Sequence, residues 1–414
     1  MINFLIKKIH HRIKSQTWVY WFFREWYVIV RIIIKQLFDK PKKGKTRILF
    51  YYVYGLAYGG TSSMMQILAK YLDKKKFEVF FMYSDKVDPI AGITISADSR
   101  LGFIQNTGVC LIPFNYEKIE SYHPYFIRGM SPNVYDVIRD FNVDLMIVPG
   151  AGHAEFPFST IKNIPIILLN IFGQPNIQEN IKYHLCISEE VAQRLQPIVP
   201  KEKIKVIYVP TEGPMDKSAE GKTIRQSLGI PEKDIIFGRI GRNSDPLYDP
   251  VGIKAFKRVV KKFPNIHYLI VGAPQILLHQ QQRENIPNIH FLPEIGTKEG
   301  LWAFYDAIDV LAHFRKDGES FGLNIVEAMY AQKPIISHKS IYWNAHLEYL
   351  EPSFAFVAEV DNIEQYAKAM EFFATDVSRV HIKAMGEKAK IRAEKFHIKN
   401  HIGAFESYIQ EALK

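Results

Sequence analysis

Glu319 and Glu327 stand eight residues apart in GESFGLNIVEAM, and they are the side chains best suited to hold a polar ligand. Between them Ser320, Phe321, Gly322 and Leu323 open a stretch with helical spacing. The first N–H groups of a helix have no partner within it, and the helix dipole favours negative charge there. This turn therefore suits a phosphate or diphosphate. A carboxylate repels phosphate but accepts hydrogen bonds from sugar and ribose hydroxyls. Gly322 lets a ligand approach the backbone closely. Carboxylates bracketing a helix start are thus chemistry for a nucleoside diphosphate sugar. Taken alone, the pair could equally be carboxylates stabilised by the dipole of an ordinary helix, so the surrounding elements must decide.

Those elements alternate. Arg47–Val53 (RILFYYV) reads as a buried strand. The glycine-rich turn YGLAYGGTSS and the helical stretch SSMMQILAKYL follow it, the opening of a βαβ unit. Further strands are expected at residues 77–84, before Pro149, and at 165–173, 183–188 and 204–210, with a helix in EEVAQRLQ. Residues 85–133, which hold Pro113, Pro124 and Pro132, show no clear pattern. The polar stretch 211–223 reads as a linker. The alternation then restarts with DIIFGRIGR, PVGIKAFKRVVKKF, NIHYLIVGAP, NIHFLPEI, KEGLWAFYDAI, VLAHF, GLNIVEAMYAQ and KPIISH, and the last 35 residues read as helical. At 414 residues the chain exceeds what one core fills. The expected fold is α/β, with two Rossmann-like parallel-sheet domains at 47–215 and 222–392 facing each other across a cleft. A basic arm over 1–46 precedes them, and a C-terminal helical segment at 393–414 returns to the first domain. Ligands of open parallel sheets bind at the carboxyl ends of the strands.

The E-x7-E spacing, followed by a strand beginning KPII, resembles the retaining glycosyltransferases of family 4. The similarity runs over nearly all of residues 47–414. YGGTSSMMQILAKYL is similar to that family's glycine loop and first helix, FGRIGR to its strand-plus-arginine motif, and the closing helix also fits. The resemblance implies the two-domain GT-B fold. It also implies that Glu319 contacts donor-sugar hydroxyls and Glu327 the ribose, while the Phe321, Gly322 and Leu323 amides touch sugar and diphosphate. Arg242 would neutralise the diphosphate with an always-charged fork, and Gly59 and Gly60 would let the opposite backbone approach the same phosphates. The family pairs its arginine with a lysine five residues later, where this chain has Leu247. Lys254 or a shifted residue would have to substitute, or Arg242 act alone, and Arg239 competes for the arginine's place. His153, in VPGAGHAEF, follows the strand DLMIV in a loop where related enzymes often place a polar group near the donor sugar, and Glu155 is a further candidate.

The implied reaction moves a sugar from a UDP- or GDP-linked donor to a saccharide or lipid-linked saccharide acceptor with retained configuration. Glu319, His153 and Arg242 would carry it. No cofactor is implied beyond the donor itself, and with no Asp-x-Asp motif no metal is expected. A nucleotide-sugar epimerase shares this fold. A phosphorylase shares it too, but would need a covalently bound pyridoxal phosphate and usually a longer chain. Leu247 keeps a binder without turnover open.

The charge distribution narrows the partners. Of the net +10, residues 1–46 carry +9, with eleven Lys or Arg against Glu25 and Asp39. The body is close to neutral, which argues against a nucleic-acid enzyme with a basic cleft. Cys110 and Cys186 are the only cysteines and lie in no metal-binding or disulfide pattern, so a reduced, cytoplasmic setting is expected. TWVYWFFREWYVIVRIIIKQLF (17–38) is apolar but interrupted by Arg24, Glu25, Arg31 and Lys35. It is too charged to span a bilayer and lacks a signal-peptide pattern. Its three basic residues share one helical face, with aromatic residues on much of the rest. That pattern fits a helix lying at the inner membrane face better than the alternative, one packed on the body with a solvated basic face. Deleting residues 1–40 is expected to move the protein from the membrane to the soluble fraction on cell fractionation, and an unchanged distribution would remove the membrane reading.

Overall fold

The computed structural model describes residues 44–84, 98–114, 134–150, 161–213, 220–375 and 378–414. His153, Glu155 and all of the arm before residue 44 lie outside the described residues.

The first domain is a seven-stranded parallel sheet. Its strands are β1 (Thr46–Tyr52), β2 (Phe77–Ser84), β3 (Val109–Phe114), β4 (Leu145–Gly150), β5 (Ile166–Asn170), β6 (Ile181–Cys186) and β7 (Ile204–Val206), in the order β3-β2-β1-β4-β5-β6-β7. The central strands are covered on both faces, which is why β1 and β4 read as continuous apolar runs rather than alternating ones. Helices α1 (Gly60–Tyr71), α2 (Val134–Asp140) and α3 (Glu189–Leu195) belong to this domain. Ser188 caps α3, its side chain accepting from the Val191 N–H. Strand β3 falls in the stretch where the sequence pattern is silent. It is an edge strand, so Pro113 can sit within it without breaking a ladder on the outer side.

The second domain contains α4 (Glu220–Ser227), β8 (Ile235–Ile240), α5 (Val251–Val259), β9 (Ile266–Val271), α6 (Gln275–Glu284), β10 (Ile289–Leu292), α7 (Lys298–Ala307), β11 (Val310–Ala312), β12 (Gly318–Glu319), α8 (Leu323–Tyr330), β13 (Ile335–His338), β14 (Trp343–Asn344), β15 (Ala355–Ala358) and α9 (Ile363–Ala374). Its parallel sheet runs β10-β9-β8-β11-β13-β15, and β12 and β14 form a separate two-stranded ribbon. The two sheets share one winding order about their first strands, as two Rossmann-like domains should. The polar stretch read as a linker ends earlier than its composition suggests, because α4 begins at Glu220. Arg225 anchors α4 by donating to the Ala307 carbonyl (2.8 Å) and to Asp309, so its polar residues are a solvated face and not a loop.

Helices α10 (Ser378–Ala393) and α11 (Ile402–Ala412) end the chain. Helix α11 packs on the first sheet. Phe405 is fully buried with its ring centroid 6.4 Å from that of Phe50, and Glu406 accepts from the Asp73 N–H and Lys76 Nζ, both at 2.9 Å. The chain thus passes between domains twice, and the two passages hydrogen-bond to each other. The Thr211 N–H donates to the Phe396 carbonyl (2.9 Å), and the Ile398 N–H donates to the Thr211 carbonyl (2.8 Å). One apolar cluster runs through both domains, joining α1, α8 and α11, while each sheet keeps a second cluster of its own. Among the described residues no helix is long and apolar enough to cross a membrane.

Removing the Phe405 ring leaves a cavity between α11 and β1. Phe405→Ala is expected to lower the unfolding free energy by about 3 kcal/mol, read as a shift of the urea midpoint.

Candidate functional site

A cavity of about 290 Å³ opens between the domains. It lies at the carboxyl ends of β5, β8, β9 and β11, through Leu169, Ile240, Val271 and His313, as expected for parallel sheets. Glu319, Phe321, Gly322, Leu323 and Glu327 line it, as do Arg242, Gly59 and Gly60 from the opposing walls.

Glu319 is positioned by a short strand. Gly318 and Glu319 pair with Trp343 and Asn344 in the β12–β14 ribbon. Gly318 makes this possible, since it has φ +70° and a Cβ there would stand 1.8 Å from the Trp343 carbonyl oxygen. The buried carboxylate has Oε1 3.2 Å from His313 Nε2, while Oε2 accepts from Arg315 Nη1 at 3.4 Å. Asn324 Nδ2 faces His313 Nδ1 at 3.3 Å, which places the imidazole proton on Nε2, towards Glu319. Burial alone would raise the Glu319 carboxyl. Arg315, and then His313, outweigh it and hold the group at about 2. Arg315 is itself oriented by Asp317 through Nε (2.6 Å) and Nη2 (3.0 Å).

Helix α8 follows directly. Gly322 has φ +89°, and a Cβ there would meet the Tyr349 hydroxyl at 2.9 Å. Glycine is required here by the left-handed turn and by Tyr349, and not, as the sequence suggests, only by ligand approach. The Tyr349 hydroxyl contacts the Phe321 carbonyl (2.5 Å) and the Gly322 carbonyl (3.1 Å), fixing the turn. The Phe321 ring points into an interdomain aromatic cluster, 6.1 Å from Tyr208, 5.7 Å from Tyr349 and 5.5 Å from Phe396. Glu327 lies about one turn into α8. Its Oε2 accepts from the Tyr305 hydroxyl at 3.0 Å. Burial pushes this carboxyl up to about 7, against the Tyr305 hydrogen bond and the more distant Arg100 and Lys298. The two glutamates share one cavity yet have opposite electrostatic settings.

The first domain brings a second helix start to the same space. Gly59 precedes α1 and Gly60 begins it, and a Cβ at either would meet no heavy atom within 4 Å. Among the described residues nothing occupies the side-chain position of these glycines, and both line the cavity. Behind them Arg100 donates through Nε to Gln66 Oε1 (2.9 Å) and through Nη1 to Ser63 Oγ (3.3 Å), stacked over Tyr58 and Phe103.

Of the cations weighed in the sequence, Arg242 lines the cavity half-buried. Arg239 also lines it, buried, with Nη1 donating to the Gly272 carbonyl at 2.9 Å and Nε without a partner. Burial lowers its guanidinium to about 10. Leu247 faces the cavity, and Lys254 is exposed on α5 and does not, so Lys254 does not replace the missing lysine. Sequence reading missed His313, Arg315, Tyr305 and Arg100. Arg315 and His313 had a local signal, four and six residues before Glu319 in HFRKDGES, whereas Tyr305 and Arg100 depend on contacts between distant segments. Among the described residues no group of three or more His, Cys, Asp or Glu could hold a metal ion.

Residues 220–392 match the family model described as Glycosyl transferases group 1. No curated protein matches the chain by sequence. Among solved structures, HepE of Anabaena in complex with UDP and glucose superposes with a TM-score of 0.66 at 16% identity, covering 88% of this chain and 99% of that one. A glycosyltransferase from Rickettsia africae gives 0.66 at 16%, covering 90% and 100%. Sucrose-phosphate synthase from Thermosynechococcus elongatus gives 0.65 at 16%, covering 89% and 99%. At these identities the likeness is one of fold, and the fold is GT-B.

The opposite settings of the two glutamates give opposite pH signs. Glu327 is raised above its unfolded value, so the native state holds its proton longer and stability falls as pH rises from about 4.5 to about 7. Glu319 is depressed, so its contribution is present above the unfolded pKa and is lost as pH falls towards about 2. At pH 8, Glu327→Gln is expected to stabilise the ligand-free protein and Glu319→Gln to destabilise it, each by about 1–3 kcal/mol in urea unfolding.

Proposed function

We propose that this protein is a glycosyltransferase that moves a sugar from a UDP- or GDP-linked donor to a saccharide or lipid-linked saccharide acceptor, with retention of configuration. One observation carries the reading. Two helix starts, α1 from the first domain and α8 from the second, meet in one interdomain cavity, with the Glu319 and Glu327 carboxylates on either side of the α8 start. The helix starts suit a diphosphate and the carboxylates suit hydroxyls. The family-model match over the second domain supports it, as does the likeness in fold to a protein solved with UDP and glucose.

In this reading Glu319, held ionised, accepts from hydroxyls of the donor sugar. Glu327 accepts from the ribose, and Phe321, Gly322 and Leu323 present backbone amides to the sugar and diphosphate. Gly59 and Gly60 admit the diphosphate from the opposite side. The bond from the anomeric carbon to the diphosphate oxygen breaks as the bond to the acceptor oxygen forms, and the acceptor proton passes to the departing diphosphate. Arg242 and the two helix dipoles meet the charge that develops there, with Arg239 as a second cation facing the cavity. His153 retains its proposed role at a sugar hydroxyl. The described wall of the cavity from the first domain has no charged side chain, with Met64, Ile171, Phe172 and Val209 among its residues, which suits an uncharged acceptor. Together with the basic aromatic arm this favours an acceptor at the inner membrane face, in assembly of a cell-surface polysaccharide.

Purified protein offered a panel of UDP- and GDP-sugars, with and without lipid extract, is expected to release nucleoside diphosphate from one of them, faster with lipid. Glu319→Gln should cut that rate at least about 100-fold. Tight donor binding with no release under any acceptor would make the protein a binder. Failure to bind any donor would overturn the site.

A further inference from the structure

The ribbon that carries Glu319 is short, with two residues on each strand, and a two-stranded pair of that size is marginal without outside support. In register, Glu319 sits opposite Asn344. The Asn344 N–H donates to Glu190 Oε2 at 2.7 Å, and Glu190 belongs to α3 of the other domain. The contact is reciprocated, because Glu348 of the second domain accepts from the Glu190 N–H (2.8 Å) and the Glu189 N–H (3.2 Å) at the start of α3. The two domains thus exchange carboxylates onto each other's backbone, and such charge-assisted bonds are stronger than neutral ones. Glu190 is itself oriented by Arg194, which donates to Oε1 at 2.9 Å. The Arg194 guanidinium lies over the Trp343 ring at 3.4 Å and donates to the Tyr342 carbonyl. The contacts of Glu190 and Arg194 with residues 342–344, and of Glu348 with the start of α3, form only when the domains are together, since α3 lies on one and the ribbon on the other.

We propose that Glu190 is a positioning residue for Glu319: by holding the Asn344 amide it fixes the β12–β14 ribbon, and so couples closure of the two domains to placement of the Glu319 carboxylate. The consequence for ligand binding rests on the reading of Glu319 as a contact to the donor sugar. The nucleoside diphosphate portion would be held whether or not the latch is made, and the sugar only when it is.

The test uses full-length protein with Glu190→Ala, Glu190→Asp and Glu190→Gln. Gln keeps an acceptor oxygen for Asn344, whereas Asp is one methylene too short to reach it. In the ligand-free protein, amide hydrogen exchange at residues 318–322 and 343–344 is expected to rise about tenfold in the Ala and Asp variants and to return most of the way in Gln, with β8 and β9 unchanged. In binding measurements with the donor found by the release assay, Ala is expected to lose about tenfold in affinity for the nucleoside diphosphate sugar and less than about twofold for the nucleoside diphosphate. Unchanged exchange at 318–322 in both Ala and Asp would overturn the proposal, as would equal loss for the two ligands. Should wild-type protein bind no nucleotide sugar, the functional reading fails while the exchange measurement still decides the latch. If Ala unfolds, the Asp and Gln pair decides it.

Discussion

Keeping a buried carboxylate ionised requires compensation from its surroundings, because an unpaired charge costs several kcal/mol to remove from water. Glu319 is that carboxylate, and much of the second domain's cavity wall is arranged around it. Arg315 supplies the opposite charge and is aimed by Asp317. His313 presents its Nε2 side, in a tautomer set by Asn324. Behind these, His338 Nε2 accepts from the Arg315 N–H, and His346, which burial pushes down to about 4, stays neutral at physiological pH and donates to the His338 carbonyl. The neutral His346 therefore adds no positive charge to the surroundings of Glu319. Gly318 is part of the same arrangement, since only a residue without Cβ brings β12 against β14.

The second constraint is that the cavity exists only between two domains. Each contributes one helix start to it. The chain fixes their relation where its two passages bond to each other at Thr211, Phe396 and Ile398. Beside this crossing, Glu212 accepts from Lys70 Nζ and the Tyr71 hydroxyl of α1 (both 2.7 Å) and from Lys298 Nζ of α7 (3.3 Å). One half-buried carboxylate therefore holds a helix from each domain. The exchange between α3 and the segment around Asn344 and Glu348 is a separate tie, and it reaches the strand that bears Glu319.

Glu327 shows how two carboxylates eight residues apart can diverge. It lies beside Tyr305 on α7 rather than beside a close cation, and burial therefore dominates. A group near neutrality can accept from a ribose hydroxyl when ionised or donate when protonated, whereas Glu319 only accepts.

Sequence alone determined the features that repeat along the chain or sit within a few residues of one another. The runs of β1, β2 and β4, the turn into α1, the restart at β8 and the E-x7-E stretch were legible because periodicity and helix-start chemistry are local properties. The two-sheet fold follows from them. The tertiary structure decided what depends on neighbours from elsewhere. Strand β3 tolerates Pro113 only because it lies on an edge, and α4 is helical despite its polar residues because Arg225 docks on Asp309. Gly322 is required as much by Tyr349 as by any ligand. The opposite pKa shifts of Glu319 and Glu327, and the latch from Glu190, are invisible in one dimension. Desolvation and pairing are sums over atoms that folding brings together, and no spacing within a segment encodes them.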